Sequence, residues 1–155
     1  MTPLESRRTT RYAERLTVPW WSWPPALAGG AVLAAEVGIS AGSVPIWLPF
    51  AVVLAATVAL MLWLSRIRVR ATDDELLVDD ARLPLTVIAD VVPLDAAGKR
   101  ELLGVGAHPV AFVIQRPWIG PAVQILLDDP ADPTPYWVVS TRRPQALAEA
   151  LTASR

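Results

Sequence analysis

The sequence contains no cysteine and a single histidine, His108. The absence of cysteine excludes disulfide bonds, thiolate zinc sites and thiol catalysis, although it does not reveal the redox compartment. His108 precedes Pro109 in a predicted loop and gives no support to a histidine metal cluster or to a Ser-His-Asp triad. The scattered glycines form no phosphate-binding loop or dinucleotide fingerprint. We therefore expect no cofactor and no catalytic site, so the protein is not predicted to be an enzyme.

Charge is missing from a long central segment. Between Leu16 and Ser65 the only ionisable residue is Glu36, whereas arginines cluster in residues 1–15 and 66–70. The remainder, residues 71–155, contains seven basic and twelve acidic side chains. Because nucleic-acid binding requires clustered positive charge on the folded domain, this acidic remainder argues against a nucleic-acid partner.

The uncharged segment predicts two membrane spans, at about residues 20–39 and 44–64. Residues 44–64 hold no charge, and at about 1.5 Å per residue they match a hydrocarbon thickness of about 30 Å. Trp47 and Trp63 lie near the two ends of this stretch, as interfacial aromatics do. A signal peptide is the alternative for the first span, and a buried helix of a soluble protein is the alternative for the second.

Arginines flank both predicted spans, which indicates a multi-pass protein of the cell (inner) membrane with both termini in the cytoplasm. Small residues recur every fourth position in each span, which favours close packing of the two helices as a hairpin. The alternative is that alanine is simply abundant here. The small residues are Ala26, Gly30 and Ala34, and then Ala51, Ala55 and Ala59; the arginines are Arg7, Arg8, Arg11 and Arg15, and then Arg66, Arg68 and Arg70.

After Arg66 the pattern becomes alternating, with turn residues between short apolar runs, and predicts about seven strands. Asp95 is expected to cap a short helix that ends at Gly104, and Pro144 to open a helix that extends to about Ala153. The predicted fold class is a membrane α-helical hairpin followed by a small antiparallel β barrel, PH-like, with a C-terminal helix. The predicted domains are a cytoplasmic basic N-terminus (1–15), the transmembrane hairpin (16–65) and a cytoplasmic PH-like β domain (66–155).

Three Trp-rich segments carry a resemblance across nearly the full length: ERLTVPWWSWP at residues 14–24, HPVAFVIQRPWIGPAV at 108–123 and DPTPYWVVSTRRP at 132–144. In these segments the chain resembles a family of small actinobacterial membrane proteins classed as a domain of unknown function. The resemblance implies two membrane spans. In the number and order of its elements the rest of the chain looks like the bacterial PH-like domains that follow membrane helices. Neither resemblance supplies an activity or a catalytic residue.

Two candidate sites lie in or beside the predicted membrane segments. Glu36 is a candidate intramembrane polar site, because ionisable groups in spans are often functional. It could serve as an interfacial anchor, form a hydrogen bond to a subunit or partner, or belong to a proton or ion pathway. Arg66, Arg68 and Arg70 are candidate lipid-facing residues that could lie against anionic lipid. They could equally be a topology signal and nothing more.

A third candidate site is a partner surface in the soluble domain, since aromatic residues and arginine dominate the hot spots of protein interfaces. The alternative is that the two tryptophans fill the core and the arginines are solvated. The acidic pairs of this domain coincide with predicted turns and predict no metal site. The candidate residues are Arg116, Trp118, Trp137, Arg142 and Arg143.

Together these features predict a membrane-anchored interaction or scaffold module at the inner leaflet. Its expected partners are membrane lipids and either another protein or a second copy of the chain. The alternative is an accessory subunit of a transporter or envelope-synthesis complex that acts through its transmembrane helices.

Overall fold

The structure is a computed structural model and describes residues 9–153. The chain divides into two compact units. The helical unit comprises Thr17–Arg66, and the β unit combines the residues up to Leu16 with those from Ile67 onward. The helical unit is therefore an insertion in the sequence of the β unit. Arg7 and Arg8, which the topology prediction uses, lie outside the described residues.

The helical unit contains α1 (Trp23–Ser40) and α2 (Trp47–Leu64). A short 3-10 turn at Trp20–Ser22 leads into α1. Pro24 lies in the first turn of α1, where a missing backbone N–H removes no helical hydrogen bond. In the connection to α2, Gly42 has a φ of 45°, a conformation that glycine adopts without steric cost.

The two helices pack closely at Gly30 and Ala34 of α1, and Ala34 is 0 % exposed. A Cβ atom on Gly30 would lie 2.8 Å from Oγ1 of Thr57, so only glycine permits this approach. The prediction of small residues at the contact is confirmed for these two positions of α1. It is wrong for α2, where Leu54 and Thr57 face Gly30 and the predicted contact residues are exposed, namely Ala51, Ala55 and Ala59.

The first sheet of the β unit is antiparallel and contains strands from both sides of the helical insertion. It contains β1 (Tyr12–Arg15), β2 (Arg68–Ala71), β3 (Glu75–Val78) and β4 (Ala81–Pro84) in the order β1-β2-β3-β4. In β2, Val69 and Ala71 are buried and the two arginines are exposed, the alternation of a sheet with one solvated face. Because β1 precedes the helical unit and β2 follows it, their pairing joins the two ends of the insertion.

The second sheet contains β5 (Ile88–Leu94), β6 (Phe112–Ile114), β7 (Ala122–Leu127) and β8 (Tyr136–Ser140) in the order β5-β7-β8-β6. β6 runs parallel to β8, and the other pairs are antiparallel. All five residues of β8 are buried, so both faces of this central strand are covered.

Two helices complete the β unit, α3 (Ala96–Leu103) and α4 (Pro144–Thr152). The Asp95 carboxylate accepts a hydrogen bond from the Gly98 N–H, so the predicted cap of α3 is confirmed. The apolar core combines residues of both sheets with one face of α4. Its most buried side chains, each at most 1 % exposed, include Val69, Val78, Val123, Val139, Leu147 and Leu151.

The predicted fold class is wrong. No single PH-like barrel forms in the described chain, because its strands divide into two four-stranded sheets. One sheet recruits β1 from before the helices, and the other contains a parallel pair. Among residues 9–153 only α2 is long and apolar enough to cross a membrane by length and composition, whereas the sequence predicts two spans. In α1 the apolar residues are diluted by prolines, glycines and Glu36.

Candidate functional site

The end of β8 brings together buried polar groups of the β unit. Ser140 and Thr141 follow each other there, and both are 0 % exposed. Successive side chains of an extended chain point to opposite sides. The Ser140 hydroxyl accordingly contacts α3, and the Thr141 hydroxyl contacts β1. Buried hydroxyls require hydrogen-bond partners, and each of these two belongs to its own polar cluster.

The first cluster surrounds the carboxylate of Glu14 in β1. Its Oε2 atom accepts hydrogen bonds from the hydroxyls of Tyr12 and Thr141, both at 2.6 Å. Its Oε1 atom accepts the backbone N–H of Arg142 at 3.1 Å and lies 3.5 Å from that residue's guanidinium. Since the Glu14 side chain is only 7 % exposed, these donors replace the water that a carboxylate normally binds.

The hydroxyl oxygens of Tyr12 and Thr141 are also only 2.8 Å apart, so these two oxygens and the Oε2 atom of Glu14 form a triangle. Two hydroxyls supply two protons for three contacts, and an ionised Glu14 receives both of them. The Thr141 oxygen already accepts the backbone N–H of Arg143 at 3.1 Å. The carboxylate is therefore the acceptor that both buried hydroxyls depend on.

These contacts also determine the charge states in the cluster. Burial raises the pKa of the Glu14 carboxyl, but hydrogen bonds from Thr141, Tyr12 and Arg142 outweigh it, and the pKa lies below its ordinary value of 4.5. Burial raises the pKa of the Tyr12 hydroxyl, and the neighbouring carboxylate raises it further. At neutral pH Glu14 is therefore ionised and Tyr12 is neutral.

Arg142 and Arg143 cover the free edge of β1. The Arg142 guanidinium donates to the carbonyl of Arg15 at 3.0 Å, and the Arg143 guanidinium donates to the carbonyl of Ala13 at 3.3 Å. The guanidinium carbon of Arg143 also lies 5.2 Å from the centre of the Tyr12 ring, within cation-π range. An edge strand presents carbonyls that no neighbouring strand binds. These two arginines donate hydrogen bonds to two such carbonyls of β1.

The second cluster surrounds the amino group of Lys99 in α3, which is 5 % exposed. The amino group donates to the carbonyl of Ile119 at 2.8 Å and to the Ser140 hydroxyl at 2.9 Å. Burial lowers the pKa of Lys99. A serine beside such a lysine could pair a nucleophile with a base, but Ser140 has no exposed surface for a substrate to reach. This geometry favours a structural role.

The residues of the predicted partner surface fall into three places. Arg116 and Trp118 lie together, with the guanidinium carbon 5.7 Å from the indole ring. The indole N–H of Trp118 is buried without a hydrogen-bond partner among the described residues. Trp137 is in the core, 8 % exposed, and its ring centre lies 4.2 Å from that of Phe112. Arg142 and Arg143 are at the edge of β1 described above.

The predicted lipid-facing arginines are divided between the two units. Arg68 and Arg70 lie on the exposed face of β2, beside Arg15 of β1. These three residues, together with Ala13 and Glu14, line an open pocket of about 150 Å³. Arg66 is exposed and belongs to the helical unit.

Glu36 is exposed on α1. It lines a shallow pocket of about 430 Å³ with Leu33, Val37, Ser40 and Ala41, all from α1 and its end. The carboxylate therefore lies on a surface that is otherwise largely apolar.

Within the described ranges, no group of three or more His, Cys, Asp or Glu side chains could hold a metal ion. The ring of His108 lies edge-on to Tyr136, 6.5 Å between centres. The backbone N–H of His108 donates to the Tyr136 hydroxyl. His108 thus contacts the end of the second sheet.

A protein-family model matches residues 11–151. The chain belongs to the DUF3093 family of proteins of unknown function. The predicted resemblance to a domain of unknown function is therefore confirmed, and actinobacterial origin stays a prediction. No curated protein matches the chain, and no solved structure matches it.

Sequence reasoning did not single out Tyr12, Glu14 or Lys99. A signal for the first two was present, since Tyr12, Glu14 and Leu16 alternate with exposed positions as in a strand. The signal for Lys99 was its spacing, three and four residues before Leu102 and Leu103, which places it on the apolar side of α3. The identity of the contacting groups could not be deduced, because Glu14 and Thr141 are 127 positions apart.

Proposed function

We propose that this protein is a membrane-anchored interaction module, in which the helical unit is embedded in the cell membrane and the β unit holds a protein partner in the cytoplasm. The observation that carries the proposal is α2. It is long and apolar enough to cross a membrane, and of its eighteen residues only Pro49 is buried. A core helix of a soluble protein would bury most of that apolar surface instead.

The surface of α2 supports this reading. Trp47 and Trp63, at its two ends, are 65 % and 62 % exposed, as expected for side chains at the two membrane interfaces. Val52 and Leu60 between them are also at least half exposed. Exposed apolar surface of this extent is costly in water and favourable in lipid.

The pairing of β1 with β2 adds a topological argument. Paired strands lie on the same side of a membrane, so the chain that leaves β1 must return to that side before β2. A crossing by α2 therefore requires residues 17–46 to cross in the opposite direction. The arginines that follow α2 favour the cytoplasm for the β unit.

The second sheet supplies a surface that fits a protein partner. β6 is an edge strand, and its Phe112 and Val113 are 37 % and 41 % exposed. Val110, just before it, is 48 % exposed. Edge strands with exposed apolar side chains pair readily with a further strand, and a second copy of the chain or another protein could provide it.

Cysteine accessibility tests the anchoring, because the native chain has no cysteine. We expect Ser43→Cys, between the two helices, to react with a membrane-impermeant thiol reagent on intact cells. Ala131→Cys, exposed in the β unit, should react only after permeabilisation. Each lysine at the centre of a span costs about 2.5–3.5 kcal/mol of insertion free energy, so adding Val52→Lys and Val58→Lys should abolish labelling at Ser43→Cys.

As a matched control, Val52→Ile and Val58→Ile should leave labelling unchanged. Failure of Ser43→Cys to react on intact cells would show that α2 does not cross. Reaction of Ala131→Cys on intact cells would instead place the β unit outside.

A second candidate function is an accessory subunit that associates through its helices, and the exposure of Glu36 favours it. Under the leading proposal, Glu36→Gln should leave the native mass of the detergent-solubilised protein unchanged on native gel electrophoresis. If Glu36 instead bonds a partner helix, the wild type should migrate as a larger complex, and Glu36→Gln should release the monomer. Ser43→Ala, exposed between the two helices and outside the pocket that Glu36 lines, is the control substitution.

A further inference from the structure

We infer that the outer face of β1 and β2 binds the phosphate group of an anionic phospholipid headgroup. The face consists of Arg15, Arg68 and Arg70, and we call it the arginine face. This inference rests on the proposed membrane anchoring, and it names the lipid class that the β unit recognises.

Strand register brings the guanidinium groups together. Arg15 is directly opposite Arg68, and Ala13 is directly opposite Arg70. The hydrogen bond from the Leu16 N–H to the Ile67 carbonyl makes that pair a hydrogen-bonded one. The alternation of antiparallel pairs then makes Arg15 and Arg68 a non-hydrogen-bonded pair, in which side chains lie closest.

Two like charges directly opposite each other destabilise a strand pair, and no ion pair between described residues offsets the charges of Arg15 and Arg68. Within residues 9–153, no carboxylate lies within ion-pair distance of Arg15, Arg68 or Arg70. By contrast, Arg11, just before β1, forms an ion pair with Asp73. Among the described residues, the arginine face therefore presents positive charge that no ion pair offsets, and an anionic ligand would compensate it.

The face is also concave, which distinguishes it from a row of solvated side chains. Its three arginines line the open pocket of about 150 Å³, whose fourth and fifth lining residues are Ala13 and Glu14. Ala13 is small and leaves space between the arginines. The Glu14 carboxylate is hydrogen-bonded on the opposite side, to Tyr12 and Thr141, and its side chain is only 7 % exposed. Guanidinium groups bind phosphate oxygens in a bidentate manner, so the pocket suits a phosphate ester.

The chain itself indicates why the phosphate belongs to a lipid. Arg68 follows Leu64, the last residue of α2, by four positions, and four residues of chain reach at most about 14 Å. Basic residues so close to a membrane span are attracted to anionic headgroups. The acidic composition of residues 71–155 disfavours a polyanion such as nucleic acid, which would need a wider basic surface.

The test is a titration of the full chain in neutral detergent, followed by the NMR signals of the arginine Nε–H groups. Short-chain phosphatidylglycerol should shift the signals of Arg15, Arg68 and Arg70 in a saturable manner, and short-chain phosphatidylcholine should not. The double variant Arg15→Gln, Arg68→Gln should weaken binding by roughly 25-fold, about five-fold per arginine near an anionic surface. Arg100→Gln, on the exposed side of α3, should bind as the wild type does.

Equal responses to the two lipids, or no response at all, would overturn the inference. Saturation of the same signals by inorganic phosphate with equal affinity would also overturn it, because the site would then recognise a free anion. The titration needs no intact membrane. It can therefore succeed even if Ser43→Cys shows that α2 does not cross, and the two proposals fail separately.

Discussion

Replacement of Trp137 with alanine is expected to lower the free energy of unfolding of the β unit by about 3–5 kcal/mol. Trp137 is 8 % exposed in β8, the central strand whose residues are all buried. Its ring packs against Phe112, with ring centres 4.2 Å apart and planes inclined at 41°. Phe112 and Trp137 are also partners in the parallel β6–β8 pair. The cavity would therefore weaken both the core and the attachment of an edge strand.

Amide hydrogen exchange on the detergent-solubilised full chain measures the loss of stability in the β unit separately from the helical unit. Amides of β7 and β8 should lose most of their protection, because a loss of 3–5 kcal/mol is a large part of the about 5–15 kcal/mol that stabilises an ordinary domain. Trp20→Ala is the matched control, since Trp20 is 81 % exposed, and it should leave these amides unchanged. Protection of β8 at the wild-type level in Trp137→Ala would show that Trp137 is not a core residue.

This result would also decide between a core role and an interface role for Trp137. The residue types of Arg116, Trp118 and Trp137 are those of an interface, and the same types fill small cores. The structure separates Trp137 from the other two by burial: Trp137 is 8 % exposed in the core, whereas Arg116 and Trp118 contact each other in the loop after β6 and are only partly buried. Sequence alone could not make this separation, because it depends on which parts of the β unit pack against each face of β8.

Local signals predicted the local structure well. The Asp95 cap, the end of α3 at Gly104 and the start of α4 at Pro144 are each determined by residues within one helical turn. The strands after α2 are likewise marked by alternation and by turn residues between them. Each of these features depends on neighbours in the sequence and not on the tertiary fold.

The assembly of the strands could not be predicted in the same way. β1 pairs with β2 across an insertion of about fifty residues, so the alternation of Tyr12, Glu14 and Leu16 can indicate a strand but not its partner. The parallel pairing of β6 with β8 is likewise invisible to periodicity. A count of strands therefore suggested one barrel, whereas the pairing order builds two sheets.

The same limit explains the polar clusters. Glu14, Thr141 and Lys99 are ordinary residues in sequence, and they become unusual only through long-range contacts that bury them. Glu14 and Thr141 meet because β1 lies against the end of β8, and Lys99 meets Ser140 because α3 packs beside the same strand. These contacts tie the residues before the helical unit to the C-terminal half of the β unit.

Glu14→Ala should therefore be the second most damaging single change, with a loss of about 2–4 kcal/mol. The substitution removes the acceptor of the Tyr12 and Thr141 hydroxyls and leaves two buried donors with one contact between them. It also removes the acceptor of the Arg142 backbone N–H. The measurement is the midpoint of urea unfolding, followed by the near-ultraviolet signal of the β unit.

Glu14→Gln is the informative companion, and it should cost about 1–2 kcal/mol, less than Glu14→Ala. An amide can keep its oxygen toward the Arg142 N–H and turn its NH₂ group toward Tyr12 and Thr141. The two N–H bonds then donate to the hydroxyl oxygens, one hydroxyl proton makes the 2.8 Å contact between them, and the other hydroxyl proton is left without an acceptor. The ion pair with the partly exposed Arg142 is lost as well, but such pairs contribute little.

The two variants also separate the role of the hydrogen bonds from that of the charge. The pKa of Glu14 is lower in the folded than in the unfolded protein, so its contribution is fully present above the ordinary value of 4.5 and is lost as the pH falls through the lowered folded pKa. The wild type should therefore lose stability relative to Glu14→Gln on acidification below about pH 4.5. A constant difference between the two proteins across that range would show that the carboxylate is not selectively stabilised by folding. If Glu14→Gln proved as damaging as Glu14→Ala at neutral pH, then the charge itself, and not the supply of hydrogen-bond partners, would hold β1 to the end of β8.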